Sequence, residues 1–195
     1  VNKKEGEGES AEFKELYYDS VGTTLTGSIE DPALLALALQ LPAETTLALE
    51  METVDPDGLH DSRKKVKKEL AERYRGEFFQ LYNTYNTNGA YQITSEAMGR
   101  RSLKNTCLSY LVSLDPLPAD ILELCVTQYR DATNMTDTIA ALGCITNLED
   151  PVRSELFDDF YRRWQHESLV MDKWFTLQAT SNRRDRKSTR LNSSH

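Results

Sequence analysis

The chain has no run of apolar residues approaching the ~20 that a bilayer-spanning helix needs, so no membrane partner is expected. Histidine is scarce, with only His60, His166 and His195 among 195 residues. Cysteine is scarce too: Cys107, Cys125 and Cys144 are an odd number, spaced 18 and 19 apart. All three fall on apolar helical stripes. They read as buried, reduced thiols, not as a disulfide framework or zinc knuckle, and this suits a cytoplasmic compartment. Basic charge is in deficit, with a net charge of −8. Residues 182–195 hold five basic residues against one acid, so without that +4 the remainder stands at −12. Phosphate recognition demands a basic footprint, which excludes nucleic acid and anionic membranes as partners. No Gly-x-Ser-x-Gly, Cys–His pairing or glycine-rich phosphate loop occurs, and Gly6-Glu7-Gly8-Glu9 is polar tail. The first residue is Val1, not Met, so the chain reads as a fragment whose parent's targeting peptide would be out of sight.

What remains is a helical text. Hydrophobic content of 39% and charged content of 28% fit a soluble globular chain with one sizeable core. The six prolines, at 32, 42, 56, 116, 118 and 151, all fall at joints. Proline suits the first turn of a helix, where its missing amide costs nothing, and it breaks interiors. Asp31, Asp55 and Asp150 each precede a proline, adding an N-cap and a favourable charge at the helix dipole.

Residues 1–9 are too polar to bury anything and read as disordered or a linker. Ser10 can cap a first helix carrying Phe13, Leu16, Tyr17 and Val21. A second follows Pro32 with Leu34, Leu35, Ala38 and Leu39 inward, and a third restarts at Pro42. The spacing of Val66, Leu70, Tyr74 and Phe78 predicts one long helix from Asp57 to Tyr85. Its basic face of Arg63, Lys64, Lys65, Lys67 and Lys68 reads as solvated and countered by Glu69 and Glu72. Gly89 to Thr94 is the one place where a strand is arguable. Helices from Ser95 and from Pro118 come next. With three more up to Ser181, the count is eight or nine. Antiparallel pairs joined by short proline turns predict an all-α chain, an irregular superhelical solenoid with no significant sheet. Residues 10–181 form this helical domain, and the polar tail 182–195 reads as non-native.

The stretch from Thr133 to Ser181 is the densest part. Asn134 or Thr136 can cap a helix bearing Ile139, Leu142, Gly143 and Ile145. Asp150-Pro151 opens the next, with Val152, Leu156, Phe160 and Trp164 four apart. Leu169 to Ala179 supplies the last, expected to bury Val170, Met171, Trp174, Phe175 and Leu177. Trp164 and Trp174 are the expected core anchors, since large aromatics carry much of a core's burial. Physics stops there, with a helical body and no chemistry.

Two ordered runs in that stretch are specific: Asn134-Met135-Thr136-Asp137, and Leu169-Val170-Met171-Asp172-Lys173-Trp174-Phe175-Thr176-Leu177-Gln178-Ala179-Thr180-Ser181. Together they resemble the C-terminal helical domain of bacterial-type aminopeptidase N, the alanyl aminopeptidase branch of the gluzincin zinc metallopeptidases. The likeness extends upstream through Arg100-Arg101-Ser102-Leu103-Lys104-Asn105-Thr106-Cys107-Leu108, Tyr82-Asn83 and Asp31-Pro32, over roughly residues 12–181. It implies a parent enzyme that removes N-terminal amino acids from peptides and carries zinc. This part would be an incomplete helical domain that caps the active site and controls peptide access. Its implied partners are the catalytic domain of the same parent chain and peptide substrates.

The family's working motifs are Gly-x-Met-Glu-Asn and His-Glu-x-x-His with a downstream Glu. Neither is present. His166-Glu167-Ser168-Leu169-Val170 is half of the second, with valine where a zincin needs its other imidazole. No catalytic, cofactor-binding or metal residue is therefore assigned, and the fragment alone is expected to be inactive and to bind no zinc. The adjacent carboxylates Asp158 and Asp159 point to different helix faces and read as solvated. Asn134, Thr136, Asp137, Asp172 and Lys173 are either structural or face the chamber that such a domain encloses. The alternative reading is a stand-alone helical-repeat scaffold for protein–protein binding.

Overall fold

The computed structural model describes residues 2–27, 29–87 and 90–181, with side chains from residue 12 on. The described residues form ten helices and no strand, so residues 90–94, where a strand was arguable, are irregular. The tail 182–195 lies outside the described residues. The chain divides into two compact units, Val1–Pro116 and Leu117–His195, at the proline-marked turn after α6.

The first unit holds α1 (Asn2–Thr26), α2 (Pro32–Ala38), α3 (Glu44–Ala48), α4 (Pro56–Arg73), α5 (Arg75–Tyr85) and α6 (Ser95–Leu111). Helix α6 is its centre, packed on α2, α4 and α5 and burying Leu103, Cys107, Leu108 and Leu111. Phe78 of α5 is fully buried and stacks on Tyr110, with ring centroids 4.4 Å apart and planes 10° from parallel. The Tyr110 hydroxyl donates to the Leu39 carbonyl at 2.6 Å, so a phenol buried in the core meets an acceptor at the end of α2. A Cβ at Gly99 would come within 2.9 Å of the Ala33 amide, so α2 and α6 meet where only glycine fits.

Capping follows the sequence closely here. Asp31 accepts from the Ala33 and Leu34 amides, and Asp55 from Gly58, each ahead of a proline. Three expectations are corrected. Helix α1 starts at Asn2, not at Ser10, because Lys and Glu sustain helix even with nothing apolar to bury. The long helix expected over Asp57–Tyr85 breaks at Tyr74, whose φ of −118° and ψ of 31° leave the helical region. The Tyr74 hydroxyl donates to the Tyr18 carbonyl of α1 at 2.8 Å, in a space that a side chain at Gly22 would occupy. Phe13, Leu16 and Leu34, expected on the inward stripes of α1 and α2, are exposed.

The basic face of α4 is bound within its own unit more than it is solvated. Arg63 donates to the Pro42 carbonyl at 2.9 Å, Lys67 lies over the Tyr110 ring, and Lys68 pairs with Asp115 at 3.4 Å. Glu69 takes the Tyr18 hydroxyl and pairs with Lys14 at 2.6 Å, while Arg73 pairs with Glu15 and Asp19.

The second unit holds α7 (Ala119–Asp131), α8 (Met135–Ile145), α9 (Pro151–Trp164) and α10 (Ser168–Ala179). Helices α7 and α8 pack as a hairpin over a short turn, burying Ile121, Cys125 and Tyr129 from one and Ala141, Leu142 and Ile145 from the other. Helix α9 adds Leu156, Phe157 and Phe160, and α10 adds Met171.

Candidate functional site

The residues singled out from sequence sit in two places within the second unit. The first is the start of α8. Asn134 is its N-cap: its Oδ1 accepts from the Asp137 amide at 2.9 Å and its Nδ2 donates to Asp137 Oδ2 at 3.0 Å. Thr138 donates back to the Asn134 carbonyl at 2.9 Å. Asp137 is buried, and its carbonyl accepts from Gln128 Nε2 of α7 at 3.1 Å. A carboxylate in the first turn also favours the helix dipole. The cluster therefore satisfies free amides and fixes the α7–α8 turn. Thr136, one residue away, points to solvent.

The second place is α10. Met171 is buried, Val170, Trp174, Leu177 and Gln178 are half-buried, and Asp172, Lys173 and Thr176 are exposed. Phe175, expected inward, is 53% exposed, although its position four residues on from buried Met171 sets it near the same side of the helix. Leu169 is 80% exposed. The Asp172 and Lys173 side chains join no hydrogen bond or ion pair among the described residues.

The two tryptophans, expected as core anchors, are half-buried. Trp174 Nε1 donates to the Phe157 carbonyl at 3.0 Å, and its ring lies 5.4 Å from Tyr161 and 5.1 Å from Phe175. Trp164 lies 6.4 Å from Phe160, and its buried Nε1 has no hydrogen-bond partner among the described residues. Asp159 accepts from the buried Tyr129 hydroxyl at 2.8 Å and pairs with Arg162 and Arg163, while Asp158 is exposed. Burial first, then the Asp159 hydrogen bond and charge, raise the Tyr129 pKa.

Sequence reasoning missed the groups that close this unit. The Thr146 carbonyl at the end of α8 accepts from Arg153 Nε at 2.7 Å and from Ser181 Oγ at 3.4 Å. Ser181 is buried, so the last residue of the recognisable run docks on α8. A cation and a hydroxyl at a helix C-terminus answer its unpaired carbonyls. In the first unit the run Arg100–Leu108 has a comparable task. Lys104, 6% exposed, donates to Asn86 at 3.4 Å, and Arg101 reaches the Gln92 carbonyl at 3.1 Å while lying over Tyr91.

Among the described residues, no three His, Cys, Asp or Glu side chains come together to hold a metal ion. His166 is exposed, with Val170 at the position four residues on. These residues do not fit the zinc that the resemblance implies. No described helix is long and apolar enough to cross a membrane.

A family model described as a domain of unknown function (DUF3458_C) with ARM repeats matches residues 1–192. The chain belongs to that family. ARM repeats stack helices into α-solenoids, so the expected all-α solenoid class is the family's own. The chain is 36% identical over 174 residues to aminopeptidase N of Haemophilus influenzae, covering 89% of this chain and 19% of the relative. With aminopeptidase N of Escherichia coli it shares 36% over 151 residues, covering 77% of this chain and 17% of that protein. Caulobacter vibrioides aminopeptidase N gives 34% over 165 residues, 85% of this chain and 19% of the relative. The fold matches the crystal structure of Legionella pneumophila aminopeptidase A in complex with aspartic acid, with a TM-score of 0.76 and 23% identity, over 94% of this chain and 22% of that one. The resemblance read from the two runs in the second unit thus holds along most of the chain. The chain spans about a fifth of the length of the curated relatives it matches.

Proposed function

We propose that this chain is the helical, non-catalytic part of a zinc metallo-aminopeptidase that removes N-terminal amino acids from peptides, and that it caps the active site and governs peptide access. The observation that carries the reading is 36% identity to aminopeptidase N over 89% of the chain. It is supported by a described structure whose polar clusters are caps and helix ties, with no metal-holding group of side chains. On this reading the zinc and the catalytic residues belong to the rest of the parent chain, and the compartment is the cytoplasm. The chain acts by shape. Peptide would meet the exposed face of α10, where Asp172 and Lys173 offer one charge of each sign beside Leu169 and Phe175.

The test is to assay the purified chain for release of alanine from an alanyl anilide, and to measure its zinc content after dialysis. The expected result is no hydrolysis and no stoichiometric zinc. Metal-dependent release of alanine, or one tightly held zinc per chain, would overturn the assignment.

A further inference from the structure

Helices α1 and α2 pack on each other, and each turns an uncharged face outward. On α1, Phe13, Leu16, Tyr17, Ser20 and Thr24 recur at three- and four-residue spacing and share one side, while Tyr18, Val21 and Leu25 are buried on another. Phe13 is 73% exposed and Leu16 61%. The Ser20 and Thr24 hydroxyls donate to carbonyls of the helix itself, those of Tyr17 at 2.7 Å and Ser20 at 2.8 Å. No charge interrupts that side for about three turns. Helix α2 has no charged residue at all; its Leu34 and Leu37, three apart, are exposed, while Leu35 and Ala36 are buried. Helix α9 shows the usual alternative, exposing Ser154, Glu155, Asp158 and Arg162.

We propose that the outward face of α1 and α2 is an interface, covered by a further helical repeat of the parent chain that comes before Val1. This rests on the reading of the chain as part of a longer one, and not on what that longer chain catalyses. In a stack of helical repeats each repeat touches only its neighbours, and a repeat at the end of the stack keeps a polar outer face. The α1–α2 face is apolar, so it belongs inside a stack. ARM repeats are the family's architecture, and about four fifths of the curated relatives' length lies outside this chain, which leaves ample sequence for the neighbour. The covering helix needs an apolar stripe opposite Phe13, Leu16 and Tyr17, and basic residues opposite the acidic flank of Glu12, Glu15 and Asp19. A second copy fits worse. Two chains of net charge −8 repel, and in an antiparallel pair that acidic flank would meet itself.

The experiment compares hydroxyl-radical oxidation, mapped by mass spectrometry, in this chain alone and in the full-length protein translated from its transcript. Phe13, Leu16 and Leu37 should oxidise readily in the chain alone, and in the full-length protein should fall to the level of buried Phe78. A photo-crosslinker, p-benzoylphenylalanine in place of Leu16, should link in the full-length protein to a helical segment before Val1 that holds no His-Glu-x-x-His. The oxidation arm uses the unaltered sequence, so it decides the matter if the altered chain misfolds. Release of alanine from an alanyl anilide is assayed alongside. Protection without activity sinks the peptidase reading alone, whereas activity with Phe13 and Leu16 oxidised as in the isolated chain sinks this one. The proposal is also overturned by protection in the isolated chain that grows with its concentration, which marks a second copy, by a crosslink to the catalytic segment, or by a transcript with no helical segment ahead of Val1.

Discussion

In the first unit Phe78, Tyr82 and Tyr110 are sealed inside, whereas in the second the two largest aromatics, Trp164 and Trp174, lie half-buried at helix edges. The first unit closes around one stacked pair, and the polar tip of that pair is satisfied by a backbone carbonyl. The second closes around aliphatic side chains with Tyr129, Phe157 and Phe160, and polar bonds at the ends of α8 secure it. The difference teaches that recognisability and burial are separate properties. The two runs of the second unit that carry the family likeness hold exposed Thr136, Asp172 and Lys173, while the stacked pair Phe78 and Tyr110 lies outside them.

Both tryptophans belong to the second unit, so their fluorescence reports it alone and far-ultraviolet circular dichroism reports both. The largest effect should come from Phe78→Ala, which empties a fully buried, stacked position and should cost about 3–5 kcal/mol. The dichroism midpoint in urea should fall well before the fluorescence midpoint. A change under 1 kcal/mol, roughly a surface effect, would mean the stack is not what holds the first unit.

Trp174→Ala should cost less, about 1–3 kcal/mol, because the ring is half-buried and loses one hydrogen bond to Phe157. If it costs more than Phe78→Ala, the contrast between the units fails. Asn134→Ala removes an N-cap and its link to Asp137, and should cost about 1 kcal/mol, read as faster amide exchange in α8.

Alkaline pH tests the buried phenols of both units together. Burial raises the Tyr110 and Tyr129 pKa values above the ordinary ~10 of an unfolded tyrosine. A group whose folded pKa is raised gives its full stability below the unfolded value and loses it as pH climbs toward the folded one. Melting temperature should therefore fall above about pH 10, and less steeply in Tyr129→Phe. An unchanged slope would show that Tyr129 ionises as freely in the fold as out of it. The smallest effects belong to Asp172→Ala and Lys173→Ala, a few tenths of a kcal/mol as for surface changes that touch no core.

How much of this was legible in the sequence depends on how local the deciding interaction is. Asp31, Asp55 and Asp150 were readable as caps, and Asn134 as one of two candidates with Thr136, because capping needs only residues within one turn; Asp31, Asp55, Asp150 and Asn134 all cap. The break at Tyr74 was not, because the Tyr18 carbonyl that takes its hydroxyl lies 56 residues away. Phe175 was misplaced because helical spacing sets it near buried Met171 and does not show how far the neighbouring helices reach. The Arg153 and Ser181 bonds to Thr146 left no signal, since a carbonyl's need for partners does not depend on its side chain.

The most direct test of the central claim is to sequence the full-length transcript that contains this segment. The account predicts one open reading frame running through Val1 from upstream, with His-Glu-x-x-His and a further Glu encoded before this stretch. A start codon and an in-frame stop that enclose these residues alone would contradict it, and would make the chain a helical-repeat scaffold.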